Sequence, residues 1–90
     1  MELRTIRFRT SRDSVVLTVE EAKEFQYRLS QAPGGRPLEH QIRLAIADRT
    51  DVTISDDHKA TAMNVLAAWF DEAGEVSREM GELLVLLREG

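Results

Sequence analysis

The chain offers few groups from which a catalytic or metal site can be assembled: two histidines, sixteen carboxylates and no cysteine. A metal site has to combine His40 or His58 with carboxylates such as Asp56 and Asp57. Asp56, Asp57 and His58 are consecutive, however, and consecutive helical residues point in different directions, whereas two ligands sharing a helix face sit three or four apart. The acids are better explained as favourable charges at a helix N-terminus. Neither nucleophilic catalysis nor phosphate cradling has a motif: no serine is framed by the glycines of a nucleophile elbow, and Gly34 and Gly35 lack the following lysine and hydroxyl residue of a phosphate loop. The residues therefore imply no enzyme activity, no cofactor and no metal.

Arginine is the more suggestive chemistry. Arg7 and Arg9 sit on a strand-like segment, and Arg43 falls on a segment that also alternates. On a sheet face away from the helices, these three would be placed for phosphate or partner contact beside Thr5, Thr18 and Thr53. Two features weigh against nucleic acid: no aromatic residue lies among them to stack on bases, and the net charge is −4. The ten arginines against two lysines also fit simple genomic compositional bias.

The other unusual surface is apolar. Leu83, Leu84, Val85, Leu86 and Leu87 are consecutive, so on a helix they cover the whole circumference, and one neighbouring layer cannot bury them all. Val85 and Leu86 are expected to face outward. Together with Trp69 and Phe70 this run suggests an interface, and a two-fold homodimer is the simplest arrangement because one patch serves both partners.

These groups must be positioned by short elements. Ile6 and Phe8 alternate with Thr5, Arg7 and Arg9 as a half-buried strand does; Ser11 to Ser14 reads as a turn and Val15 to Leu17 as the return strand of a hairpin. Thr18 and Glu21 form a capping box that opens a helix over Glu20 to Gln31, with Ala22, Phe25 and Leu29 on its buried face. The Pro and Gly residues of 32–37 end it. Residues 38–47 fit either a helix opened by Pro37 or a strand. Strand is preferred, because residues 48–73 then complete a repeat of the first unit: a turn at 48–51, a strand Val52 to Ile54, and Ser55 capping a helix from Asp56 to about Ala73. Gly74 supplies a left-handed stop. Val76, Met80, Leu83, Leu84 and Leu87 outline a third helical stripe weakened by Gly81, with a strand over 82–88 as the alternative.

The expected fold is thus α+β and two-layered: an antiparallel sheet of about four strands in two β-hairpins, packed on one face by two or three helices. One domain over 1–90 is expected, with ββα pseudo-repeat halves 1–32 and 38–73 and a C-terminal segment 75–89. Ninety residues suffice for one core that buries about 60–65% of the unfolded surface. The longest apolar run is far short of the roughly 20 residues that span a bilayer, and the arginines at the start interrupt any signal-like stretch. The absence of cysteine agrees with a reducing compartment, so a cytoplasmic location is expected. Charge is uneven: the first 19 residues are basic, while 56–90 hold eight acids against Lys59, Arg78 and Arg88. The composition as a whole implies a regulatory or protein-interaction module rather than a catalyst, with a homodimer as its expected form and a nucleic-acid-binding regulator as the alternative.

Overall fold

In the computed structural model, residues 4–89 are described; Glu2 and Leu3, which belong to the N-terminal charge and apolar pattern, lie outside the described residues. β1 (Thr5–Arg9) and β2 (Ser14–Thr18) pair antiparallel, with Ile6 opposite Leu17 and Phe8 opposite Val15. The turn between them is held by Thr10, whose N–H donates to the Asp13 carbonyl at 2.9 Å while its hydroxyl accepts from the Arg12 and Asp13 N–H groups. The hairpin matches its alternation: Ile6, Phe8 and Leu17 are buried, whereas Thr5, Arg7, Arg9 and Val16 are exposed.

Helix α1 (Val19–Gln31) starts at the expected capping box, with Glu21 N–H donating to Thr18 Oγ1 at 3.1 Å and Thr18 N–H to Glu21 Oε1 at 2.9 Å. The connection into the next helix turns on Gly35. A Cβ there would run into the Leu29 carbonyl at the end of α1, so only glycine permits the close approach.

Residues 38–47 are helical, which corrects the preference for a strand. Helix α2 (Arg36–Asp48) carries Pro37 in its first turn and buries Leu38, Ile42 and Ala45 on one face. A strand would place Ile42, Leu44 and Ile46 on one buried face, yet Leu44 is 48% exposed. With two faces to choose from, the helix buries the set that includes Leu38 and packs along α1. Arg49 ends it in the left-handed region at φ 59°, and the chain enters β3 (Val52–Thr53).

The sheet therefore has three strands, not four, in the order β2-β1-β3, and it is mixed: β3 pairs parallel to β1, with Phe8 opposite Val52 and Arg9 opposite Thr53. Reached from β2 through two helices, β3 runs antiparallel to β2 and hence parallel to β1, its neighbour in the sheet. The unit after α1 is helix, strand, helix, so the order of the first unit does not recur.

Helix α3 (Asp56–Ala73) has the expected bounds and stops at Gly74, φ 75°. Helix α4 (Arg78–Glu89) settles the C-terminal alternative in favour of helix. One cluster joins the inner sheet face to all four helices, from Phe8 and Phe25, whose ring centroids are 5.9 Å apart, to Leu66, Met80 and Leu83. The opposite sheet face stays uncovered. No helix among the described residues is long and apolar enough to cross a membrane.

Candidate functional site

The residues singled out from sequence do not form one site. Arg7 and Arg9 occupy the uncovered sheet face as expected, but Arg43 does not join them: it lies on α2 and ion-pairs with Glu39. Arg9 is itself paired, 3.1 Å from Asp51, while no carboxylate among the described residues pairs with Arg7. His40 is exposed; the His58 ring lies 3.2 Å from Ser55 Oγ at the start of α3. His40 and His58 lie outside the groove beside α4 and outside the one along α3. Among the described residues no three His, Asp or Glu side chains converge as a metal site would need.

The C-terminal run is mostly committed to its own core. Leu83 and Leu87 are buried, Leu84 is half-buried, and Leu86, expected to face outward, is only 9% exposed. Helix α4 lies against β2 and α3, and Val85 alone of the five stands out, at 52% exposure. A shallow groove of about 560 Å³ runs beside it, between α4 and the Asp13–Val15 end of β2. Trp69 and Phe70, their rings 6.3 Å apart, are half-buried at the edge of the core.

A second concavity, of similar volume, lies elsewhere. The last turn of α1 and the connection that follows it lie along α3: Arg28 reaches Glu72 near the end of α3, while Gly34, just beyond α1, lies close to Thr61 near its start. Between them is a furrow of about 520 Å³ with Ala32, Pro33, Val65 and Ala68 as its floor. Tyr27, 62% exposed, forms a wall, and Gln31, Thr61 and Asn64 supply an uncharged polar rim. Thr61, Asn64, Ala68 and Glu72 recur at helical spacing along one side of α3, and their small size near the floor is what opens the space.

At the open end, Arg28 is fixed from three sides. Its Nε lies 2.9 Å from Glu24, its Nη1 3.1 Å from Glu72, and its guanidinium sits over the Trp69 ring, 5.1 Å from the centroid. The hydrogen bond to Glu72, reinforced by Glu24, raises its pKa further, so the charge is permanent. Two other polar clusters have structural geometry. Glu39, buried, accepts from Arg43 and from Gln26, and these bonds hold its carboxyl below the usual range. Burial opposes ionisation of Glu21, but hydrogen bonds from Ser77 and Thr18 outweigh it and lower its pKa, tying the start of α4 to the α1 cap. Lys59 buries its ammonium 2.9 Å from Asp56, too poorly aligned for a hydrogen bond.

Sequence reasoning missed the furrow. Its signals were Tyr27, off the Ala22, Phe25, Leu29 stripe, and the small residues flanking the broad apolar arc of α3. No protein-family model matches the chain, and neither curated proteins nor solved structures show significant similarity to it.

Proposed function

We propose that this chain is a non-catalytic protein-interaction module that works in the cytoplasm and uses the furrow between α1 and α3 as its principal contact surface. The observation that carries this reading is the furrow itself, of a size typical of binding sites, with an apolar floor, an exposed aromatic wall and a polar rim. Catalysis is not favoured, because the histidines are apart from both grooves and the carboxylates with lowered pKa are held in structural contacts. Ala68→Glu places a charge on the floor at a position exposed in the free chain, so the fold tolerates it. A protein captured from the source cell by the unaltered chain and lost with this variant supports the module; equal capture by both chains, or none, overturns it.

Self-association through the C-terminal helix is a second reading, favoured by the exposure of Val85 beside the α4–β2 groove. The regulator that binds nucleic acid draws support from Arg7, exposed and without a carboxylate partner among the described residues. That alternative expects salt-sensitive retention of duplex DNA or RNA, lost on Arg7→Ala. No retention at low salt removes it.

A further inference from the structure

From the shape and charge of the furrow we infer that its occupant is an amphipathic helix of a partner protein, apolar along one face and basic in the turn that lies over Glu72. This inference rests on the interaction-module reading and names the partner's chemistry. Three observations lead to it. First, the furrow runs along α3 from Thr61 to Glu72, with the last turn of α1 and the Ala32–Pro33 connection as its other wall. At 1.5 Å per residue that is roughly 16 Å, or about three helical turns. A third helix laid in such a trough presents side chains at i, i+3 or i+4, and i+7 to the floor, as helix-in-groove recognition requires.

Second, the floor is made of small apolar side chains, Ala32, Val65 and Ala68, which leave room for the larger anchors of a partner instead of filling the space themselves. Tyr27 stands beside it, exposed, and presents a rigid aromatic face of the kind that carries binding energy at protein interfaces.

Third, the charge is one-sided. The end near Pro33 and Thr61 has no charged lining; at the opposite end Glu72 lines the furrow and, with Glu24 just outside it, outnumbers Arg28, which pairs with both, while Asp71 and Glu75 follow on the adjoining stretch of chain. Arg28 is the one cation in the lining, and both of its ion pairs are internal. The C-terminus of α3 adds its negative dipole end there. Lysine or arginine in the partner's N-terminal turn complements all of these, and sets the partner helix antiparallel to α3.

The full chain provides its own reporter, because Trp69 is its single tryptophan and lies against the Arg28 guanidinium at the furrow's end. The probe is a tryptophan-free peptide of about sixteen residues, with leucines at i, i+4 and i+7 and lysines in its first turn, long enough for the trough. A peptide of the same composition in permuted order is the control. The expected result is a saturable change in Trp69 emission with the patterned peptide alone, weakened by about tenfold or more in Ala68→Glu and by a smaller factor in Glu72→Lys. Equal response to both peptides, no saturation, or no effect of Ala68→Glu overturns the helical occupant. If that happens while capture from the source cell remains sensitive to Ala68→Glu, the module stands with a different partner. If capture also fails, the module reading falls with it.

Discussion

Glu39 is nearly buried, yet its carboxylate is satisfied by Gln26 on α1 and by Arg43 one turn further along α2. Both bonds favour the charged form, and the hydrogen bonds from Ser77 and Thr18 do the same for Glu21. Each group therefore has a folded-state pKa below its ordinary value of 4.5, so each contributes stability that is present above that value and lost as pH falls through the lowered one. Replacing Glu39 by Gln removes one of these contributions. Urea unfolding should show Glu39→Gln less stable than the unaltered chain at neutral pH by about 1 kcal/mol, the difference between hydrogen bonds to a charged and to a neutral acceptor. The two stabilities should converge as the solution is acidified below pH 4.5. A constant difference down to the acid limit would show that the carboxylate's charge is not what the site uses.

At the scale of elements, two glycines that look alike in sequence have opposite roles. Gly35 sits where a Cβ would strike the Leu29 carbonyl, whereas a Cβ at Gly81, inside α4, meets nothing within 4 Å. Gly35→Ala should therefore destabilise by about 1–3 kcal/mol through overpacking, while Gly81→Ala should stabilise by about 0.5–1 kcal/mol through helix propensity alone. Thermal or urea unfolding of the pair checks both signs at once. Sequence showed that Gly81 weakens a helix, but not that Gly35 is obligatory, since that depends on where α2 returns against α1. The same limit explains the other differences. The hairpin, the Thr18 capping box, the bounds of α3 and its Gly74 stop rest on local chemistry and were legible. Residues 38–47 satisfy two periods equally well, and only the packing of Leu38, Ile42 and Ala45 along α1 decides between them. Once that segment is a helix, the sheet loses a strand, β3 pairs directly with β1, and Arg43 leaves the sheet. The furrow is a space between elements distant in the chain, so Tyr27 and the small residues of α3 could be noticed singly in the sequence but not placed together.

For the whole molecule, the question is how much apolar area is left for association once the core is closed. Five consecutive apolar residues near the C-terminus suggest an excess, but with α4 packed against β2 and α3, Leu83, Leu86 and Leu87 are buried, and Val85 is the one exposed residue of the five. A stable interface buries on the order of 1,200–2,000 Å² in total. One half-exposed valine flanked by Arg78, Glu82 and Glu89 can centre such an interface only if the rim charges pair across it, since they are otherwise solvated. The homodimer reading thus makes a narrow prediction. Sedimentation at micromolar concentration should show a dimer that Val85→Asp converts to monomer, and that high salt weakens by screening the rim. Because Val85 contributes little to the core, the substitution should leave the unfolding transition of the monomer in place. A chain that sediments as a monomer with Val85 intact would remove self-association and leave the α1–α3 furrow as the surface where a different protein has to bind.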